Sequence, residues 1–230
     1  MAKKTVIGIR STYSVSGLPI KLTIIMLVLA ACHTAVMIVH YSITELPWLF
    51  RELLDLDEEQ SFGTWFTVVI LLFAARLLLL QARRLRAAKL PRHMAWRILG
   101  LGFCFLSLDE VVGLHETLNT LTDFSWTLPG ALVAAIVGFI YIPFLNHLPS
   151  RTRLLFILSG AIYVGAAVGI ENATDWYDDN DLLNTLEYNL TTVVEEALEM
   201  TGVILFIHAI LAHMARGRDK DVTEQVHIET

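Results

Sequence analysis

Cysteine is scarce in this sequence. The two cysteines, Cys32 and Cys104, both lie within apolar runs, which excludes a disulfide framework and a paired-thiolate metal motif. The chain also has no HExxH zinc motif, no internal repeat and no low-complexity linker. Charged residues make up only 17% of the chain, so their positions carry most of the information about topology and function.

Apolar residues are abundant instead. They form 55% of the 230 residues and give a mean hydropathy of +0.57, which is more apolar surface than one soluble core can hide. Runs near the membrane-crossing length of roughly 17 to 25 residues lie at 20–41, 62–81, 95–117, 128–147, 153–173 and 188–213. We therefore predict an all-α, polytopic membrane bundle of about six transmembrane helices. In domain terms, the sequence predicts an N-terminal cytoplasmic segment, a transmembrane domain and a polar cytoplasmic tail, at 1–19, 20–215 and 216–230.

The charged residues alternate in sign from one connection to the next. The basic segments hold Lys3, Lys4, Arg10 and Lys21, then Arg83, Arg84, Arg86, Lys89 and Arg92, then Arg151 and Arg153, and finally Arg216, Arg218 and Lys220. Because cytoplasmic loops collect Lys and Arg, we expect both termini inside and a multi-pass protein of the bacterial cytoplasmic (inner) membrane. We expect membrane lipids as partners and no nucleic acid. Whether the protein forms a homo-oligomer stays open.

Ionisable side chains at membrane depth are costly and need a reason to be there. In the predicted orientation they fall in the outer half of the bilayer. They are His33 in the first span, Asp109, Glu110, His115 and Glu116 in the third, and Glu195, Glu196 and Glu199 in the sixth.

A helical period of 3.6 residues predicts which of these side chains share a face. It puts Asp109 and Glu116 on one face of the third span and turns Glu110 away from it. The three glutamates of the sixth span lie within roughly 100° of arc. We expect the acids of the two spans to meet, and so many like charges in a low dielectric need a cation or shared protons.

Carboxylates and imidazoles on facing helices hold paired iron or manganese in helix bundles, and zinc accepts the same ligand types. We therefore predict a divalent metal site of zinc, iron or manganese. Its candidate ligands are Asp109, His115, Glu116, Glu196, Glu199 and His33. Glu110 or Glu195, left free of metal, is the candidate catalytic base. The Glu-x-x-His spacing of ferritin-like di-iron bundles is absent, so the metal's identity stays open.

Two of these runs carry a resemblance. The segments SLDEVVGLHE and EEALEMTG are similar to the SLDExxxxHE and EExxExxG motifs of bacterial multi-pass membrane proteins of unassigned function. The matching residues are Ser107, Asp109, Glu110, His115, Glu116, Glu195, Glu196, Glu199 and Gly202. The resemblance implies a membrane protein and no particular reaction.

Two functional hypotheses follow. The first is an integral membrane metal-dependent enzyme, a hydrolase or an oxidoreductase, acting on a lipid or other membrane-soluble substrate. The alternative is a proton- or cation-coupled transporter or channel that uses the same acidic residues. A scaffold or sensor subunit without turnover is a third hypothesis. The missing pseudo-repeats count against transport, although a dimer of a small chain can form a pathway.

Overall fold

The computed structural model describes residues 6–115, 117, 125–215 and 221–229, and helices dominate it. In chain order the elements are strand β1 (Val6–Ser14), helices α1 (Gly17–Ser42), α2 (Trp48–Leu54), α3 (Phe62–Ala87), α4 (His93–Val112), α5 (Thr127–Leu145) and α6 (Ser150–Val164), a π-helical turn (Gly165–Ile170), α7 (Glu171–Asp179), α8 (Leu186–Met214) and strand β2 (Asp221–Glu229). The predicted helical class is confirmed.

Five helical segments of the described chain are long and apolar enough to cross a membrane, which indicates a membrane protein. They are Gly17–Ser42, Phe62–Ala87, Thr127–Leu145, Ser150–Asp178 and Leu186–Met214. These correspond to five of the six predicted spans. The remaining one, α4, has 20 residues but includes Arg97, Asp109 and Glu110, and these three charges make it less apolar than the others.

Local sequence explains where the helices begin and end. Ser61 precedes α3, and its Oγ accepts the Thr64 backbone N–H at 3.1 Å, as a Ser N-cap does. Thr185 caps α8 in the same way by accepting from the Tyr188 N–H. Gly113 ends α4 with a φ of 57°, a left-handed conformation that glycine adopts without strain. The prediction that the third span continues to residue 117 is wrong, because the helix stops at Val112.

The core lies around α3 and α8. Leu71 and Leu78 of α3 and Ile207 and Ile210 of α8 are fully buried. Helix α4 packs along α3, while α1 and α6 pack against α8. By contrast α5 is largely exposed, with Phe139 76% accessible, as expected for a helix that faces lipid. Helix α8, which carries Glu195, Glu196 and Glu199, is therefore one of the central pair, and α4, which carries Asp109 and Glu110, packs against the other.

The two strands form a small antiparallel sheet at one end of the bundle. Its register runs from Val6 opposite Glu229 to Ser14 opposite Asp221. On β1, the Tyr13 hydroxyl accepts a hydrogen bond of 2.8 Å from Arg76 of α3, and its ring packs edge-on against Phe73. The polar tail predicted from sequence thus forms a strand over 221–229 that pairs with the N-terminal strand.

Candidate functional site: a glutamate cluster between three helices

Three glutamates and one tyrosine form what we call the glutamate cluster: Glu110 of α4, Glu196 and Glu199 of α8, and Tyr163 of α6. Glu199 lies within electrostatic range of both Tyr163 and Glu110. The strongest electrostatic interactions of Glu196 are with Glu199 and Glu110. All four residues are half-buried. The acids of α4 and α8, which we expected to meet, are within electrostatic range of one another.

Glu110 is the α4 carboxylate that acts most strongly on Glu199 and, after Glu199 itself, on Glu196. The helical period predicts that Glu110 turns away from the face of Asp109, and its charge nevertheless acts on both glutamates of the cluster on α8. The helix that carries Glu110 ends at Val112, with Gly113 as its C-cap. Glu116 lies outside the described residues.

Asp109 pairs with His115 instead. Gly113 separates the two residues, and the Nδ1 of His115 comes within 3.1 Å of the Asp109 Oδ2. With the carboxylate as acceptor, Nδ1 carries the hydrogen and the orientation of the ring is fixed. The His115 ring also packs on Trp126, with 5.2 Å between ring centroids.

A second polar link crosses from Trp126 to Glu171. The Trp126 indole N–H donates to Glu171 Oε1. Glu171 follows directly on the π-helical turn, and such turns are frequent at functional sites. Glu171 in turn lies within electrostatic range of both His115 and Glu195. We call Asp109, His115, Trp126, Glu171 and Glu195 the outer network.

Glu195 is the most buried carboxylate of α8, with 7% of its surface exposed. Its leading electrostatic partners are Glu171 and Asp57. Glu195 therefore belongs to the outer network. The next two glutamates of α8, Glu196 and Glu199, belong to the glutamate cluster. The two alternative candidates for the catalytic base, Glu110 and Glu195, thus lie in different groups, although Glu195 is also within electrostatic range of Glu199.

His33 occupies a structural position. It is fully buried, its Nδ1 accepts the Leu56 backbone N–H at 3.0 Å, and its Nε2 lies 3.1 Å from the Asn189 carbonyl oxygen. Because Nδ1 accepts, Nε2 carries the hydrogen and donates it. Both ring nitrogens have backbone partners, and the imidazole ties α1, the connection after α2 and α8 together.

Asp55 lies beside His33, in the connection between α2 and α3. Its Oδ1 is 3.4 Å from His33 Nδ1, and 14% of its side chain is exposed. Burial raises the pKa of Asp55 to about 6. Two residues on, Asp57 accepts a hydrogen bond of 2.7 Å from the Tyr188 hydroxyl, which joins this connection to the start of α8.

The described residues include no group of three or more His, Cys, Asp and Glu side chains arranged to hold a metal ion. The predicted metal site therefore finds no support in the part of the chain that the structure describes. Chemically, the glutamate cluster resembles a site for protons, because its carboxyl groups lie within electrostatic range of one another and of a phenol.

Four residues of the site were not identified from the sequence: Tyr163, Trp126, Asp57 and Tyr188. A usable signal existed for Tyr163. Gly202, which the motif comparison singled out, allows α6 to approach α8 closely, since a Cβ at this position would lie 2.9 Å from the Tyr163 Cβ and 3.0 Å from the Ser159 carbonyl oxygen. Ser107, also in the motif, donates to the Val68 carbonyl oxygen at 3.1 Å and joins α4 to α3.

Residues 22–214 match the model of the family described as Domain of unknown function (DUF8692). No curated protein and no solved structure matches the chain.

Proposed function

The chain belongs to this family, and we propose that it is a proton- or cation-coupled membrane transporter whose glutamate cluster takes up and releases the coupling ion. The observation that carries the proposal is that Glu110, Glu196 and Glu199 lie within electrostatic range of one another and of Tyr163, on helices of an apolar bundle. Charged groups at this depth mark ion and proton pathways.

Repulsion between the carboxylates of the glutamate cluster favours the binding of a proton or a cation. The leading charged neighbours of Glu196 are all carboxylates: Glu199, Glu110, Asp57 and Glu195. Like charges this close in a low dielectric cannot all be ionised without a compensating positive charge. A proton shared between carboxyl groups, or a cation held by them, supplies that charge. If the cluster exchanges a bound proton for a bound cation, the movements of the two ions across the membrane are coupled.

The outer network provides a route between the cluster and the outer surface. Glu195 lies four residues before Glu199 on α8, so both point to one side of the helix. From Glu195, electrostatic contacts lead to Glu171 and Asp57, and Asp57 is solvent-exposed. Acids spaced in this way can pass protons or a cation toward the surface.

The paired strands support six spans with both termini on one side. Strand β1 runs into α1 and β2 follows α8, and the two are hydrogen-bonded along their length. The ends of a chain can meet in this way only if it crosses the membrane an even number of times. Helix α4, with 20 residues, is about 30 Å long and sufficient for the sixth crossing. The basic connections favour the cytoplasm for this side, as in the bacterial inner membrane that we propose.

A metal-dependent membrane enzyme is the second candidate, and the Asp109–His115 pair is the observation that favours it. A carboxylate orients histidines that bind metals or act as general bases. In this alternative His115, Asp109, Glu196 and Glu199 with Glu116 are the ligands, Glu110 or Glu195 is the base, and a lipid is the substrate. His33 fits it poorly because both of its nitrogens are engaged.

Reconstitution tests the transport proposal. Liposomes containing the protein and a lumenal pH dye are given a Na⁺, Ca²⁺ or Mn²⁺ gradient, and proton movement is recorded. We expect Glu196→Gln and Glu199→Gln each to reduce the flux at least about tenfold, the size of effect expected when an essential charge is lost. Glu187→Gln, an exposed position on the same helix, is the matched control and retains the flux.

Elemental analysis separates the two candidates. A wild-type protein that shows no cation-driven proton flux, and that carries a stoichiometric transition metal lost in Glu199→Gln and His115→Ala, would replace the transporter with the metalloenzyme. A metal-free protein with flux supports the transporter.

A further inference from the structure

A second site lies at the other end of α4, far from the glutamate cluster. A groove of about 570 Å³ opens between the end of α3 and the start of α4. It is lined by Leu79, Ala82, Arg83, Arg86, His93, Met94, Arg97 and Leu101. Arg97 and Glu110 are thirteen residues apart on α4, which is about 20 Å along the helix. The groove is therefore separate from the proposed transport site.

The groove is strongly cationic. Arg83, Arg86 and Arg97 are all exposed and His93 is half-buried. Within residues 6–115, 117, 125–215 and 221–229, no acidic side chain forms an ion pair with any of the three arginines. Their charges are available to an anion, and guanidinium groups bind phosphate oxygens in a two-pronged geometry.

The same groove continues into an apolar surface. Leu101 lines it, and Phe105 and Leu108 follow one and two turns further along α4. These three side chains are 52%, 57% and 53% exposed. Because they lie at i, i+4 and i+7, they form one stripe on the helix. The stripe leads from the arginines toward the middle of the membrane.

Close packing of the two helices fixes the floor of the groove. Gly100 of α4 lies against Leu79 and Leu78 of α3, and a Cβ at this position would be 3.0 Å from the Leu79 Cγ. The arginines of α3 and α4 are therefore held on opposite walls of a preformed cleft.

We propose that this groove binds an anionic phospholipid, with its phosphate between Arg83, Arg86 and Arg97 and its acyl chains along the stripe of Leu101, Phe105 and Leu108. Basic pockets between transmembrane helices on the cytoplasmic side bind the headgroups of anionic lipids. A free phosphate or nucleotide fits the cationic wall alone and leaves the apolar stripe unused. The inference goes beyond the proposed transport function, and it uses the proposed orientation only to choose the inner leaflet.

Thermal unfolding in detergent, with defined additions, tests this assignment. The additions are phosphatidylglycerol, phosphatidylcholine and inorganic phosphate at equal concentration. We expect phosphatidylglycerol alone to raise the midpoint, and native mass spectrometry to show it bound. Each arginine near the surface contributes about fivefold to the affinity for an anionic lipid. Replacement of all three by glutamine should weaken binding by about 100-fold.

Arg151→Gln is the matched control, since Arg151 is an exposed arginine of the other basic connection. It should leave phosphatidylglycerol binding unchanged. The single variants Arg83→Gln, Arg86→Gln and Arg97→Gln carry the same test if the triple variant is not recovered.

Equal stabilisation by phosphatidylcholine, protection by inorganic phosphate to the same extent, or undiminished binding in the arginine variants would each overturn the proposal. Because none of these variants touches the glutamate cluster, proton flux in the reconstituted system reports separately on the transport function.

Discussion

Replacement of Asp55 by asparagine should stabilise the protein at neutral and alkaline pH. Burial raises the pKa of Asp55 from 3.8 to about 6, because only 14% of its side chain is exposed beside the buried His33. The folded state thus holds the proton of Asp55 more tightly than the unfolded chain does. A shift of about two units, at about 1.4 kcal/mol per unit, corresponds to a penalty of about 3 kcal/mol for the ionised form.

The sign of the pH dependence follows from the raised pKa. Below about pH 4 the carboxyl group is protonated in both states and the penalty is absent. As the pH rises from about 4 to about 6 the stability falls, and above about 6 the full penalty applies. An asparagine side chain at this position would keep an acceptor for the Asp57 backbone N–H, which Asp55 Oδ1 accepts at 3.2 Å, and would not titrate. The substitution Asp55→Asn should therefore raise the free energy of unfolding by up to about 3 kcal/mol at about pH 8 and leave it nearly unchanged at about pH 4.

Unfolding by a denaturing detergent in mixed micelles, measured at several pH values, provides the assay. Glu59→Gln is the matched control, because Glu59 is an exposed acid of the same connection, and its stability curve should follow that of the wild type. If Asp55→Asn is no more stable than the wild type at about pH 8, Asp55 is solvated and the connection does not pack on His33 as described.

Two further substitutions test the packing that positions the site. His33→Ala removes the partners of the Leu56 N–H and the Asn189 carbonyl group and should lower the free energy of unfolding by about 2 to 5 kcal/mol; a change below about 1 kcal/mol would show that these groups find other partners. Gly202→Ala would place a Cβ 2.9 Å from that of Tyr163 and should destabilise by about 1 to 3 kcal/mol. Gly160→Ala, whose Cβ would meet nothing within 4 Å, is its control, and equal effects of the two substitutions would refute close α6–α8 contact.

The helices were largely predictable from the sequence because hydrophobic length is a strong signal in a membrane protein. The predicted span at 188–213 corresponds to Leu186–Met214, and the one at 62–81 begins at the same residue as Phe62–Ala87. The exception is the end of α4. Gly113 ends the helix by adopting a left-handed backbone conformation. The apolar run in the sequence continues past this residue, so hydropathy alone does not reveal the helix end.

The candidate site was predictable in composition and less so in geometry. The carboxylates of α4 and α8 could be selected because each is costly in a membrane. The role of Glu110 could not be derived from the sequence, since it depends on how α4 lies relative to α8. His33 was selected as a ligand on its residue type, whereas its two backbone hydrogen bonds depend on contacts with Leu56 and Asn189, far away in sequence. Tyr163 is uncharged at neutral pH, so the cost of a charge in the membrane, which marks the carboxylates, does not mark it.

Infrared spectroscopy of the carboxyl groups tests most directly whether Glu110, Glu196 and Glu199 share a positive charge within the membrane. At about pH 7 the metal-free wild-type protein should show the carbonyl stretch of a protonated carboxylic acid, and Glu199→Gln should remove or shift that band while Glu187→Gln leaves it in place. A wild-type spectrum with ionised carboxylates only, unchanged by Glu199→Gln and with no cation bound, would contradict the glutamate cluster as a site of ion exchange.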